Sequence, residues 1–326
     1  MIHESIASCI GQTPLVYLRR LFPYHDRGIS VIAKLEFLNP GGSVKDRPAR
    51  FIIERGLRDK TITPQTHLIE STSGNLGIAL AMVARVYGLQ FTCVVDPKTS
   101  QVNLHILDQL GAHIDMVHAP DDQGGYLKTR IRRVQELLGI IPHGYWINQY
   151  ANQLNWQAHY YGTGNEMVAQ LDAPVDFLVL AVSTTGTILG VARRLREAFP
   201  GLRVIAVDAV GSVIFGGQPG KRELPGIGSS RVPELLSPGE IDDVIYVSDR
   251  EAVRGCHELL AYEGIFAGGS SGSVIAGIQK LLPSLPGNSR IMTLFPDRGE
   301  RYLDTVYNPR WLAQLPLIEQ QMLVAL

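Results

Sequence analysis

The sequence predicts an α/β protein built on mostly parallel sheets, with helices covering both faces. Three observations carry this expectation. Apolar runs of strand length recur along the chain, and stretches of helical period separate them. Small turns rich in Gly, Ser and Thr follow several of the strands. In open α/β folds, ligand sites lie at those strand ends.

Buried strands are expected at 31–37, 67–69, 91–95, 177–182, 204–207, 244–247 and 291–295, each a short run dominated by Val, Ile, Leu or Phe. Helices are expected near 44–58, 75–87, 102–110, 126–138, 187–199, 250–262 and 272–282. In the 187–199 helix the apolar stripe is Ile188, Leu189, Ala192, Leu195 and Phe199. In the 126–138 helix the expected buried stripe is Leu127, Ile131, Val134 and Leu138. Arg130 then lies about 70° from the centre of that stripe, and Arg132 and Arg133 roughly 130° from it, a position that on periodicity alone equally suits a snorkelling arginine covering apolar surface. The segment 144–150 reads as a crossing between two sheets, and 211–231 as a long Gly- and Pro-rich loop of the kind that carries function. The chain from 311 to 326 has an apolar helical pattern suited to packing on its own domain or on a second subunit.

Composition narrows the possibilities. At 326 residues, 45% hydrophobic and 19% charged, the chain has the makeup of a globular protein of one large or two ordinary domains. A net charge of −1 offers no electrostatic reason to expect nucleic acid or an anionic membrane as partner. No apolar run approaches the ~20 residues needed to cross a bilayer. The first residues lack a basic stretch followed by an apolar core, so a cytoplasmic location is expected. Cys9, Cys93 and Cys256 are widely spaced, so neither a disulfide framework nor a zinc cluster follows. The nine histidines show no metal-ligand spacing, and no metal is expected.

The chemistry concentrates in four turns. Asn39-Pro40-Gly41-Gly42-Ser43-Val44-Lys45-Asp46-Arg47 delivers a lysine to the start of a helix. Ser71-Thr72-Ser73-Gly74-Asn75 opens the next one, where Asn75 taken alone reads as a cap. Ser183-Thr184-Thr185-Gly186-Thr187 and Ala267-Gly268-Gly269-Ser270-Ser271-Gly272 precede two more. Helix starts carry unpaired N–H groups and partial positive charge, so such turns can hold anions. A lysine beside an anion-binding floor is equipped to form a Schiff base with a carbonyl cofactor, which makes pyridoxal phosphate the first candidate. A nucleotide P-loop does not fit, because the Lys45 turn lacks the Gly-Lys-Ser/Thr order that mechanism needs.

Taken in order, these elements resemble the fold type II (tryptophan synthase β-like) pyridoxal phosphate enzymes, especially the cysteine synthase and cystathionine β-synthase group. The resemblance runs from Gly11-Gln12-Thr13-Pro14-Leu15 through Lys34-x-Glu36, the lysine turn, 71–77, 183–187 and Gly226-Ile227-Gly228 to Phe295-Pro296-Asp297-Arg298-Gly299-Glu300-Arg301-Tyr302-Leu303. It implies two three-layer α/β/α domains: a large cofactor domain from 1–40 and 153–312, a small mobile substrate domain from 41–152, and a helical tail at 313–326. It implies Lys45 as the Schiff-base lysine and proton carrier. Asn75 would meet the cofactor's ring oxygen, Ser183, Thr184, Thr185, Gly186 and Thr187 its phosphate, and Ser270 its pyridine nitrogen. Thr72, Ser73, Asn75 and Gln149 would grip the carboxylate of an amino-acid substrate. A homodimer acting on small molecules is implied as well.

The family reaction is β-replacement: an activated serine loses its β-substituent and a nucleophile takes its place. Several positions depart from the sulfide-using members. Leu76 stands where threonine is usual, Tyr150 where phenylalanine is common, Arg231 where an aromatic is usual and Arg298 where serine is usual. Arg130 stands where a small residue is usual. Sulfide has no use for an additional cation near the core, whereas a nucleophile bearing carboxylates does. The set is similar to the branch that joins L-glutamate to O-phospho-L-serine on the way to 2,3-diaminopropionate for siderophores or antibiotics. By that resemblance Arg130, Tyr150, Ser183 and Arg231 belong to the pocket for the second substrate or the leaving phosphate. A cysteine synthase using O-acetylserine or O-phosphoserine with sulfide, and a non-catalytic cofactor-binding regulator, are the alternatives.

Overall fold

The computed structural model describes residues 2–23, 27–121 and 124–315. Along the chain it contains β1 (Leu15–Tyr17), β2 (Ser30–Leu35), α1 (Asp46–Asp59), β3 (His67–Ser71), α2 (Asn75–Val86), β4 (Gln90–Val95), α3 (Gln101–Gln109) and β5 (His113–Met116). There follow α4 (Leu127–Ile140), β6 (Gly144–Trp146), α5 (Gln153–Ala158), a π-helical stretch (His159–Gly164), α6 (Asn165–Gln170), β7 (Phe177–Ala181), α7 (Gly186–Ala198) and β8 (Arg203–Ala209). The last are β9 (Asp243–Val247), α8 (Asp249–Glu258), α9 (Gly269–Leu281), β10 (Arg290–Phe295) and α10 (Pro309–Leu312).

Among the described residues these strands form two sheets, one of six strands in the order β1-β2-β10-β7-β8-β9 and one of four in the order β5-β4-β3-β6. Every pairing is parallel except β1 with β2. Both sheets are covered on two faces, as continuous apolar strands demand. In β2, Val31 and Ala33 point into one cluster and Ile32 into another. In the smaller sheet, Leu68 and Cys93 face one core while Ile69 and Val94 face the opposite one.

Each strand expected from the sequence is present, with ends shifted by at most two residues. Three were not expected: β1, β5 and β6 are only three or four residues long and half-buried or exposed throughout. Leu15-Val16-Tyr17 is apolar but too short to read as a strand, and β5 and β6 lack a continuous apolar run, so pairing to a neighbour decides all three. One consequence is a correction at 144–150. Its first three residues are β6 of the four-stranded sheet, so the chain leaves that sheet only after Trp146.

The helical stretch 153–170 was also unforeseen. Gly162 and Gly164 weaken its helix propensity, and it is held by packing on α7 instead. A Cβ at Gly190 of α7 would lie 2.1 Å from the Trp156 carbonyl, so only glycine permits that approach. The helix expected at 250–262 is α8 followed by a π-helical stretch, Leu259–Glu263. Of the expected tail, 313–315 form a turn after α10 and 316–326 lie outside the described residues.

The stripe on α4 also differs. Val134 and Leu137 are the buried residues, while Leu127, Ile131 and Leu138 are half-buried. Arg130, one turn before Val134 and two before Leu137, therefore lies on the most buried line of the helix and not at its margin.

A buried charge network sets the start of α1. Arg47 donates from Nε to Glu36 (2.5 Å) and from Nη1 to Glu166 (2.6 Å), and Lys34 meets Glu166 at 2.7 Å. Thr13 donates to Glu36 at 2.6 Å. Burial disfavours the charge on Arg47, but the two carboxylates outweigh it and hold its pKa above the ordinary arginine value. Burial likewise works against the Glu166 charge, and the facing Arg47 and Lys34 reverse that and bring it down to about 2. Lys34-x-Glu36 was visible in the sequence as a motif, and its partner Arg47 ends the lysine turn 11 residues on, but Glu166 comes from α6, 119 residues beyond Arg47.

Candidate active site

Lys45 precedes α1, at the N-cap, in a turn bound to the segment after β10. Val44 N–H donates to the Pro296 carbonyl at 2.8 Å, and Ser43 forms a bridge with Asp297. Arg301 reaches the same turn, donating from Nη2 to the Gly41 carbonyl at 2.6 Å. Gly42 has φ +81°, a conformation that favours glycine, and lets the turn tighten. Among the described residues Lys45 Nζ makes no hydrogen bond or ion pair. Desolvation lowers its pKa to about 8, which places a substantial fraction of neutral amine near physiological pH.

Asp297 connects three of the turns. Its carboxylate accepts from Asn75 Nδ2 at 2.7 Å and from the Tyr302 hydroxyl at 2.6 Å. Its carbonyl accepts from Gly268 N–H at 3.1 Å, just ahead of Ser270. Burial raises its pKa despite these donors. Asn75 is the first residue of α2 rather than its cap, and its Oδ1 accepts from Arg301. The turns that carry Lys45, Asn75 and Ser270 thus meet at Asp297, Asn75 through its carboxylate and the other two through its backbone. Asp297 and Arg301 had been read only as part of a terminal motif.

The turn 183–187 follows β7 and opens α7. Thr185 sits in the left-handed region at φ +63°, and its buried Oγ1 has no hydrogen-bond partner. A Cβ at Gly186 would lie 2.6 Å from Asn155, so a side chain there would close the space. A buried hydroxyl without a partner, at the positive end of a 13-residue helix whose first residue must be glycine, fits a phosphate group. Thr187 Oγ1 lies 3.3 Å from His159 Nε2, and Asn155 Nδ2 donates to Thr184 Oγ1 at 3.3 Å. His159 is fully buried; desolvation first, then the charges of Lys45 and Arg47, lower its pKa well below the ordinary value.

Asn155 also donates to the Gln149 carbonyl at 2.8 Å, joining this turn to the smaller sheet. There Glu70, at the end of β3, accepts from Ser71 N–H (2.9 Å) and Gln149 N–H (3.4 Å). It holds the Thr72-Ser73 turn beside Gln149. Burial raises its carboxyl to about 8, so it is mostly protonated at neutral pH. Glu70 and Asn155 had no sequence signal beyond their places next to turns.

Beside these groups lies a cluster of arginines. Arg130 is 12% exposed and faces Asp96, with Nε 3.3 Å from Oδ2. The alignment is too poor for a hydrogen bond: Arg130 Nε and Nη1 are buried without hydrogen-bond partners. Tyr150 is close enough to feel that charge. Burial raises its pKa, and Arg130 and Arg231 oppose the rise. Arg231 stacks over the Tyr150 ring at 5.1 Å and pairs with Glu234, so its charge is partly spent. Arg222 also faces Tyr150; burial lowers its pKa, and its Nε has no partner. Ser183 donates to the Gly228 carbonyl at 3.1 Å, fastening the 211–231 loop to the site. Asp96 and Arg222 had not been singled out, although an acid closing an apolar strand, as in Val94-Val95-Asp96, is the position where such folds place ligand groups.

Comparison with known proteins gives a consistent result. The family model described as pyridoxal-phosphate dependent enzyme matches residues 6–297. The chain is 61% identical over 315 residues to the N-(2-amino-2-carboxyethyl)-L-glutamate synthase of Ralstonia nicotianae, covering 97% of this chain and 93% of that one. Among solved structures it is similar to the O-acetylserine dependent cystathionine β-synthase from Helicobacter pylori, with TM-score 0.87, 35% identity, and coverage of 94% and 100% of the two chains. The cysteine synthase from Entamoeba histolytica matches with TM-score 0.87 and 32% identity, over 94% of this chain and 91% of that one.

Proposed function

This chain belongs to the pyridoxal-phosphate dependent enzyme family and is a β-replacement enzyme, and from that premise we propose that it joins L-glutamate to O-phospho-L-serine, forming N-(2-amino-2-carboxyethyl)-L-glutamate and releasing phosphate. The observation that carries the reading is Arg130: a buried guanidinium with two unpartnered donor atoms, beside Tyr150 and the ends of β3 and β4. Such a group is costly unless an anion meets it. The 61% identity to an N-(2-amino-2-carboxyethyl)-L-glutamate synthase supports the same product.

In this reading the residues of 183–187 would hold the cofactor phosphate, and Ser270 and Asn75 would hydrogen-bond its ring nitrogen and ring oxygen. Bound pyridoxal phosphate supplies the electron-withdrawing ring that makes an amino-acid α-proton removable. Thr72, Ser73, Asn75 and Gln149 orient the phosphoserine carboxylate, and the segment 41–152 closes over it to exclude water. Lys45 Nζ takes the α-proton, and the β-carbon–oxygen bond breaks with its electron pair leaving on phosphate. Arg130 and Tyr150, with Ser183 and Arg231 beside them, hold a glutamate carboxylate so that the neutral amine faces the β-carbon. The new carbon–nitrogen bond forms, the nitrogen sheds a proton, and Lys45 returns its own to the α-carbon. A homodimer in the cytoplasm, serving 2,3-diaminopropionate and siderophore synthesis, completes the proposal.

The test is the visible spectrum of the holoenzyme. O-Phosphoserine should shift the cofactor band and glutamate should restore it, with one phosphate released per turnover. Restoration by sulfide but not by glutamate would make the enzyme a cysteine synthase. Arg130→Ala should keep the cofactor band and its response to phosphoserine while kcat/KM for glutamate falls by about 100-fold or more; an unchanged value would remove Arg130 from the site. Gly186→Ala should weaken cofactor retention by at least about tenfold, because the added methyl displaces Asn155 from the cradle. Equilibrium dialysis of pyridoxal phosphate against the variant would show it.

A further inference from the structure

The pairing of Arg130 with Asp96 is unusual for two buried, opposite charges. The side chains are only 12% and 6% exposed, and Nε stands 3.3 Å from Oδ2. Good buried pairs align their hydrogen bonds, and this one does not. Asp96 is instead held from its own side: Oδ1 accepts from Lys98 N–H at 2.8 Å, in the turn after β4. The carboxylate is thus fixed by its own loop, and it acts on Arg130 through charge and not through direction. Glu70 and Arg130 both act on the buried Cys93 thiol, but the raised pKa of Glu70 leaves it mostly neutral. Among the described residues, Asp96 is the carboxylate within ion-pair distance of Arg130.

We infer that Asp96 is a positioning residue that compensates the Arg130 charge and so sets how tightly the second-substrate site holds a carboxylate. With the Asp96 carboxylate fixed beside it, the guanidinium stays buried without capturing stray anions, including the phosphate released in the first half of the reaction. Its Nη1 remains free for an incoming carboxylate. A site with an uncompensated buried arginine would bind any small anion tightly, and would be inhibited by its own product. The inference rests on the proposed glutamate-binding role of Arg130.

Asp96→Asn tests it, because the amide keeps an oxygen for Lys98 N–H and the packing volume while removing the charge. The expected result is a fall of about fivefold or more in KM for L-glutamate and in the inhibition constant of inorganic phosphate, with the effect on KM and not on kcat. Both constants should also become more sensitive to added salt in the variant. Asp96→Glu, which keeps the charge, should stay near the parent enzyme in both constants. A KM for glutamate that is unchanged or raised in Asp96→Asn overturns the inference, as does an identical effect of the two substitutions. Arg130→Ala separates the two levels of argument. If it leaves glutamate addition intact, the site itself is misassigned. If it abolishes addition while Asp96→Asn changes neither constant, only the role of Asp96 fails.

Discussion

Replacement of Lys45 by alanine is expected to lower turnover by about 10⁴-fold, since one side chain is assigned both the covalent attachment of the cofactor and the α-proton transfers. The folded protein should keep its stability, because Lys45 Nζ has no protein partner to lose among the described residues. The same environment makes a pH prediction. Desolvation holds the Lys45 amine at about 8, below the usual 10.5. The neutral amine needed to capture a carbonyl is therefore available at lower pH than for an exposed lysine. The rate at which the apoenzyme takes up pyridoxal phosphate, followed by the visible band, should rise with pH through about 8 and then level off. A rate still climbing at pH near 10, as for an ordinary lysine, would show that the site does not desolvate it.

Replacement of Arg47 by methionine is expected to cost about 3–5 kcal/mol of stability, because it strands Glu36 and Glu166 as buried carboxylates without their main partner. Urea unfolding would measure it; a loss under about 1 kcal/mol would mean the network behaves like a surface pair. The linkage has a definite sign. Glu166 is depressed from 4.5 to about 2, so its contribution is fully present above about 4.5 and is lost as pH falls towards 2. In Arg47→Met the stability lost across that acid window should shrink. Because Arg47 lies two residues after Lys45 in the first turn of α1, the variant should also lose activity in proportion to how far that turn moves.

The order of strands and helices was legible because buried parallel strands are continuously apolar and helices declare a stripe. The short edge strands β1, β5 and β6 were not, since pairing to a neighbour decides all three. Lys45, Asn75 and the 183–187 turn stood out because helix-opening turns of Gly, Ser and Thr have few other uses in such number. The cysteines read as structural; all three are free thiols, with Cys93 and Cys256 buried and Cys9 exposed.

What the sequence by itself determined was the fold class, the family and the cofactor, together with the turns that open each helix, because these depend on local patterns and on residues close together in the chain. What only the tertiary structure decided was which charges meet. Asp297 joining Asn75 and Tyr302, Glu166 closing on Arg47, and Asp96 facing Arg130 are contacts between groups 5 to 222 residues apart. Arg130 itself was placed at the edge of its helix by periodicity and on its buried line by the fold. Coulomb energy and desolvation depend on distance in space and on excluded water, and neither quantity can be read from spacing along the chain.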